Sequence, residues 1–376
     1  MKRILLVATV QSHIAQFHKP LIQWLTDSGF QVDIAARNNL ETKPNLYLET
    51  KGEIYDVPFA RSPFSPQNIK AYIRLRQIIN GNKYEIVHCN TPVGGILARM
   101  AANSKRKRNE INVIYEAHGF HFFKGGSKKN WIIWYPIEKW FSRYTDVLIT
   151  INKMDYDLAN TKFWAKKTKY IPGVGLDLRQ FECVDKDFDL REEFKLPSNA
   201  KIVISVGELN KNKNQQVIIR ALSWLNDSRI HYFLVGNGPL KEELEELARK
   251  LKLEHNVHFL GYRRDVPVLY KSADVFVLPS LREGLGMASL EAMASGLPIV
   301  TSDRHGINDY SENGKTGFKC APNDYKEFAR GIRKIVYDES LQQEMGENNR
   351  IASRQFSTKS SMDYLMGIYR EILNDE

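Results

Sequence analysis

Two glutamates eight residues apart, Glu283 and Glu291, flank a glycine-rich turn in the stretch PSLREGLGMASLEAMASGLPIV, residues 279–300. An apolar run ends at Leu278, and Gly284, Leu285 and Gly286 follow Glu283. A helical pattern then runs to about Ser295 and stops at Gly296, with Pro298 behind it. Glycine lets a backbone come close to a ligand. The unpaired N–H groups of a first helical turn attract an anion such as a diphosphate. Glu291, just over one turn into the helix, can accept hydrogen bonds from a ribose diol, and Glu283 can reach the sugar side of the phosphates. A plain strand–turn–helix with solvated glutamates would carry similar letters, so neighbouring strand ends must decide between the two readings.

Three further strand ends lie in the same half of the chain. VISVGELNKNKN, residues 203–214, ends in a polar loop whose Lys211 and Lys213 can set positive charge against a diphosphate. FLVGNGPL, residues 233–240, turns on glycine but lacks the three-glycine dinucleotide spacing. FLGYRRD, residues 259–265, offers Arg263, either beside a base or exposed. The first half has its own set. Ser12, His13 and His18 follow the first apolar run, Asn90 and Thr91 open a glycine-rich helix start, and His118 stands at the end of the run before GFHFFKGG. Any of these histidines and polar residues can equally be a satisfied core group or ordinary helix-start polarity.

These residues need a frame. Apolar strand candidates fall at 4–9, 31–35, 86–89, 112–116 and 147–151, with helical patterns at 14–28 and 94–103 between them. Gly29 is a helix-stop residue for the first of these. The linker-like segment YIPGVGLDLRQF, residues 170–181, interrupts the series. A second series follows, with strands at 201–206, 231–235, 257–260, 275–278 and 299–301 and helices at 240–252, 285–294 and 325–336. Alternation of strand and helix predicts parallel sheets covered on both faces. The expectation is two doubly wound domains, 1–174 and 175–355, with a final helix at about 356–376 packing back on the first. Ligands of such sheets sit at the carboxyl ends of the strands, and a cleft between two domains is the default active site.

Composition narrows the classes. The chain has 376 residues, 43% hydrophobic and 26% charged, too long for one ordinary core. No apolar run approaches the roughly 20 residues of a membrane span. Three cysteines, Cys89, Cys183 and Cys320, are far apart, without metal-ligand spacing or an even count, which points to a reducing cytoplasm. Residues 1–180 hold 27 Lys+Arg against 14 Asp+Glu, and the remainder 27 against 30. The first half alone is basic, a surface for anionic lipid, phosphate-bearing acceptor or nucleic acid. Trp131, Trp134, Tyr135, Trp140 and Phe141 stand among Lys128, Lys129, Lys139 and Arg143, which suits a membrane interface or a helix packed on its own domain. The run Lys105–Arg108 reads as a solvated loop.

Taken together, the four strand ends of the second half resemble the retaining glycosyltransferases of family 4, which have the GT-B fold of two facing Rossmann-like domains. Glu283 and Glu291 with seven residues between them, Gly284 and Gly286, and the closing SGLP of residues 295–298 match the family's paired-glutamate motif. The resemblance implies that Glu283 contacts the donor sugar and Glu291 the ribose. It gives the amides of Gly284, Leu285, Gly286 and Met287 to sugar and phosphate, and His118 to the donor sugar. The family's phosphate-binding arginine is Glu208 here, which leaves Lys213, with Lys211, to face the diphosphate. HGFHFFKGG, WYPIEKWFSRYTD and IPGVGLD resemble the subgroup that builds capsule or exopolysaccharide repeat units on a polyprenyl diphosphate. Ser12, His13, His18, Asn90 and Thr91 are then acceptor-side residues. The implied enzyme is a metal-independent transferase without cofactor, probing a UDP-sugar donor, a lipid-linked glycan acceptor and an anionic membrane from the cytoplasmic side, with no nucleic-acid partner. A nucleotide-sugar epimerase of related architecture and a basic nucleic-acid-binding protein are the rival readings. The first would convert donor alone; the second lacks any recognised nucleic-acid motif.

Overall fold

The computed structural model describes residues 2–43, 46–182 and 188–374; Cys183 lies outside them. The chain forms two compact units, residues 1–175 with 361–376, and residues 176–360. Unit 1 is built on seven strands: β1 (Arg3–Val10), β2 (Gln31–Arg37), β3 (Ile54–Asp56), β4 (Ile86–Asn90), β5 (Asn112–Ala117), β6 (Val147–Thr150) and β7 (Lys167–Tyr170). Their order is β3-β2-β1-β4-β5-β6-β7, and every described pairing is parallel. Unit 2 has β8 (Lys201–Val206), β9 (Ile230–Val235), β10 (Val257–Gly261), β11 (Val275–Leu278), β12 (Ile299–Ser302) and β13 (Gly317–Cys320), in the order β10-β9-β8-β11-β12-β13. Both sheets run outward in two directions from their first strand. The reversal makes a crevice at the carboxyl ends of β1 and β4 in unit 1, and of β8 and β11 in unit 2.

The central strands are covered on both faces, which is why they read as unbroken apolar runs: ILLVA of β1 and IVI of β8 are fully buried. β3, β7 and β13 escaped the sequence reading. They are short, and β3 and β7 (IYD and KTKY) carry no buried residue, as edge strands need none.

The helix expected over 14–28 is two helices, Gln11–Phe17 and Lys19–Asp27. Pro20 lacks an N–H and sits in the first turn of the second, a position proline tolerates only at a helix start. The break leaves His18 at φ −116°, non-helical and buried in the junction. Gly29, at φ +86°, follows the second helix. The run Lys105–Arg108 is not a loop but the end of the helix Pro92–Lys107. Lys105 Nζ donates to the carbonyls of Ile79 and Asn82, each at 2.9 Å, and Arg106 pairs with Asp146 at 3.0 Å. In the helix Lys128–Ser142, Trp131, Trp134 and Tyr135 pack on the unit 1 core, while Ile132 and Trp140 are exposed.

The last helix, Thr358–Asn374, gives unit 1 its residues from 361 onward. Ser361 Oγ donates to the Pro172 carbonyl at 2.9 Å, and Glu371 accepts from Lys167 and Lys169 at 2.9 and 2.7 Å. Among the described residues no helix is long and apolar enough to cross a membrane.

Candidate active site

In unit 2 the loops after β8 and β11 are stitched together by their own polar groups. Asn212 Nδ2 donates to the Arg282 carbonyl at 2.9 Å, and Leu281 N to the Asn212 carbonyl at 2.7 Å. Asn214 Nδ2 reaches the carbonyls of Pro279 and Pro322 at 3.3 and 2.7 Å. The result fixes Lys213, whose Nζ lies 2.6 Å from Glu283 Oε1 with the side chains 20% and 13% exposed. The loop after β12 braces the same turn: Gly306 N donates to the Glu283 carbonyl at 3.1 Å. A Cβ on Gly306 would stand 1.9 Å from the Gly284 carbonyl oxygen, so only glycine fits.

Gly286 is the N-cap of the helix Met287–Ala294, in the left-handed region at φ +86°. A Cβ there would be strained and 2.8 Å from the Tyr310 hydroxyl. The helix therefore starts at Met287, two residues later than the pattern implied, and Leu285 is buried beneath the turn. Glu291 is half-buried with the Tyr270 hydroxyl 3.4 Å from its Oε2. Burial raises its carboxyl above the usual range, opposed by the Tyr270 hydrogen bond and the charge of Lys213. A positive group, a glycine turn at a helix start and a half-buried carboxylate can hold, in that order, phosphate, phosphate and a diol.

Lys211 and Arg263 are placed otherwise. Lys211 lines a cavity of about 560 Å³ with Gln215, Arg220, Leu244 and Leu247. Arg263 is paired with Asp265 at 2.5 Å and with Glu193 at 3.4 Å. Glu208, at the position of the family's arginine, accepts from Asn210 Nδ2 at 2.8 Å. Lys213 is the cation that the folded loop brings to Glu283.

Unit 1 gathers imidazoles about one carboxylate. β4 and β5 pair so that Asn90 stands opposite Glu116. His118 Nε2 is 2.8 Å from Glu116 Oε1; His88 Nε2 and His18 Nε2 are 3.2 and 3.7 Å from Oε2. His18 Nε2 also lies 3.1 Å from Asn90 Oδ1, and His88 Nδ1 lies 2.8 Å from the Tyr369 hydroxyl. The His13 ring is 4.7 Å from that of His118. Burial alone would raise the Glu116 carboxyl, but the imidazoles of His118, His18 and His88 around it hold it well below the usual range. Burial pushes His13 and His88 down. Of the six residues expected here, the fold brings His13, His18, Asn90 and His118 together. Ser12 is instead hydrogen-bonded to Asn39, N to Oδ1 at 3.0 Å and Oγ from Nδ2 at 2.9 Å. Thr91 joins Thr9 through hydroxyls 2.7 Å apart and holds φ +65° at the N-cap of Pro92–Lys107.

Sequence reasoning missed Glu116, His88 and Tyr369 in unit 1, and Asn212, Tyr270 and Tyr310 in unit 2. A signal existed for two of them: IVHCN carries a histidine and NVIYEA a glutamate inside a largely apolar strand, a position that demands a partner.

The family described as Glycosyl transferases group 1 matches residues 186–352, and that described as Glycosyl transferase 4-like matches residues 3–152. The protein named glycosyltransferase EpsD of Bacillus subtilis (strain 168) is 38% identical over 98% of this chain and 96% of its own. The chain belongs to the family 4 glycosyltransferases. A second relative, the UDP-Gal:alpha-D-GlcNAc-diphosphoundecaprenol alpha-1,3-galactosyltransferase of Escherichia coli, is 29% identical over 78% of each chain. Among solved structures, Anabaena HepE in complex with UDP and glucose superposes with a TM-score of 0.77 at 19% identity, covering 99% of this chain and 100% of that one. The two Rossmann-like sheets are those of the GT-B fold. As a family 4 glycosyltransferase the protein uses a nucleotide-sugar donor.

Proposed function

We propose that this glycosyltransferase moves a hexose or N-acetylhexosamine from a UDP-sugar to a glycan on a polyprenyl diphosphate, with retention at the anomeric carbon, in capsule or exopolysaccharide synthesis. The observation that carries the reading is the Lys213–Glu283 pair at the glycine turn of Met287–Ala294. The uridine nucleotide and lipid-linked acceptor are supported by the name of the E. coli relative. Glu291 takes the ribose, and the turn amides of residues 284–287 take the diphosphate. Glu283 and His118 orient the sugar.

In the transfer, the bond from anomeric carbon to phosphate oxygen breaks, leaving negative charge on phosphate and positive charge on the ring. Lys213 and the helix start stabilise the first. The acceptor hydroxyl attacks on the face the diphosphate leaves, and its proton passes to the departing phosphate oxygen. The site needs neither cofactor nor metal, since Lys213 supplies the charge; activity unchanged by EDTA is the expected result. Transfer from UDP-sugars to a polyprenyl-diphosphate glycan, with the product's anomeric proton read by NMR, tests the whole. A β-linkage from an α-linked donor would rule out retention. New nucleotide-sugar formed from donor alone would favour an epimerase.

The enzyme acts at the cytoplasmic face of the membrane, held by unit 1. Residues 57–84 contain five Lys or Arg and no Asp or Glu. On the helix Gln67–Gly81 and the turn before it, Phe64, Ile69 and Ile73 are 80%, 64% and 51% exposed beside Arg61, Lys70, Arg74 and Arg76. An apolar ridge flanked by cations suits an anionic bilayer surface better than the aromatic helix Lys128–Ser142, whose tryptophans mostly face the core.

A further inference from the structure

At the carboxyl ends of β4 and β5, six buried polar atoms have no hydrogen-bond partner among the described residues. They are Nε2 of His13, His88 and His118, Nδ1 of His18, Nδ2 of Asn90 and Oε2 of Glu116. Each lacks what burial ordinarily demands of a polar atom. Yet they stand close together. His118 Nε2 is 2.8 Å from Glu116 Oε1, and His88 Nε2 is 3.2 Å from Oε2, in directions that make no hydrogen bond. Polar atoms that converge without bonding to one another leave their lone pairs for a cation. One nitrogen or oxygen each of His18, Glu116 and His118 lies within 4.8 Å of the others. Ligands about 2.0–2.1 Å from a tetrahedral zinc ion stand roughly 3.3 Å apart, so small turns of these side chains close the set on one ion. His18 Nε2 has Asn90 Oδ1 at 3.1 Å, which leaves Nδ1 bare. Ligating histidines take this form, one nitrogen on the metal and the other held by an oxygen.

We propose that His18, Glu116 and His118 bind one divalent transition-metal ion of the zinc class, and that the filled site is an inhibited state of the enzyme. Two imidazoles and one carboxylate suit zinc, whereas magnesium and calcium take oxygen ligands. The His18 and Glu116 side chains are each 3% exposed and that of His118 18%, so the ion enters from the His118 side. Binding stands on the geometry alone. Inhibition rests on the transferase reading, which gives His118 to the donor sugar: as a ligand, the ring is held at the ion and withdrawn from the sugar. The departing diphosphate is assigned to Lys213 in unit 2, so the zinc-free enzyme stays active in EDTA.

Calorimetric titration of the full chain, freed of metal with EDTA and then exchanged into buffer, should show one equivalent of Zn²⁺ bound. Glu116→Gln and His18→Gln should each weaken that binding by more than the roughly 10–100-fold that loss of an outer partner costs a metal site. Either variant suffices if the other folds poorly. His258→Phe, which removes an imidazole of unit 2, should keep the equivalent at the same affinity. No saturable equivalent in the wild type, or one that survives both unit 1 variants, overturns the site, and so does its loss in His258→Phe. In the transfer assay one equivalent of Zn²⁺ should lower wild-type kcat by roughly ten- to a hundredfold, up to the cost of a misplaced reacting group, and EDTA should restore it. Glu116→Gln, compared with its own zinc-free rate, should escape inhibition at the same Zn²⁺ concentration. Zinc bound with kcat intact, or inhibition undiminished in Glu116→Gln, overturns the inhibited state. A wild type that binds Zn²⁺ through Glu116 and His18 but transfers from no nucleotide-sugar would sink the functional reading and leave the metal site standing.

Discussion

Glu116 of unit 1 and Glu291 of unit 2 lie near the switch points of their sheets, and the two are shifted in opposite directions. Glu116 is fully enclosed, yet three imidazoles hold it well below the usual range. Glu291 is less enclosed, yet burial raises it, because its nearest donor is one tyrosine hydroxyl at 3.4 Å. Burial therefore does not set the protonation of a carboxylate; the donors around it do. Glu116 has three imidazoles close about it within the protein. Glu291 is short of donors, and a ribose diol would supply two. The same architecture rings its carboxylate with imidazoles in one unit and carries an open network in the other.

The sharpest way to break that contrast is to remove the cation from the open network. Lys213→Ala should lower kcat by roughly 10²–10³-fold, the usual cost of one preorganised charge at a transition state. Donor KM should rise by much less, because the charge matters most as the phosphate leaves. Stopped assays across donor concentrations measure both, and a rise in KM with kcat intact would make Lys213 a ground-state binder. Next in size, Glu291→Ala should weaken uridine diphosphate binding by about 1.5–3 kcal/mol, the range for hydrogen bonds to charged groups. Calorimetry showing unchanged affinity would take the ribose away from Glu291. A smaller effect is expected on the exposed basic ridge of unit 1. Arg74→Ala should weaken binding to anionic vesicles by about 1 kcal/mol and leave nucleotide affinity alone. Flotation that does not distinguish anionic from neutral vesicles would remove the membrane from this face.

The two networks were not equally legible. Unit 2 announced itself because most of the groups proposed to face the nucleotide-sugar lie on one continuous stretch, from Glu283 to Glu291, where glycines and a helix stop fix the geometry locally. The central strands were equally plain, since strands buried on both faces are apolar throughout. Unit 1 hid its carboxylate. Glu116, His88 and Tyr369 are up to 281 residues apart and meet only through strand order and the return of the last helix. The histidines at 13, 18 and 118 were visible because they follow strand ends, whereas Glu116 and His88 sit inside strands and read as misfits. The split of the first helix at His18 was missed because its apolar period continues across Pro20. Arg263 was read, from its strand end alone, as lying beside a base or exposed. Its pairing with Asp265 and Glu193 depends on a side chain seventy positions earlier.

The histidines themselves give the finest comparison. Three of unit 1, His18, His88 and His118, surround a carboxylate; the pair in unit 2, His231 and His258, has none. Their rings lie 5.4 Å apart, with His231 Nδ1 and His258 Nε2 at 3.1 Å, and His258 stacks on Phe233 at 4.4 Å. Burial pushes His258 down to about 4, and the neighbouring His231 adds to the shift. Burial also lowers His231. A histidine lowered in the folded state binds fewer protons there than in the unfolded chain. Its contribution is present in full above the unfolded value of about 6.5 and is lost as pH falls toward 4. Unit 2 should therefore lose stability across that window, and His258→Phe, which keeps the ring stack, should flatten the loss. Discounted for the partial exposure of His258, the difference is about 1 kcal/mol between pH 6.5 and 4.5. Trp224 is the single tryptophan between residues 176 and 360, so its ¹⁹F line in 5-fluorotryptophan-labelled protein reports unit 2 alone during urea unfolding. Midpoints that fall with pH equally in wild type and variant would show that this histidine pair does not set the acid stability of the unit.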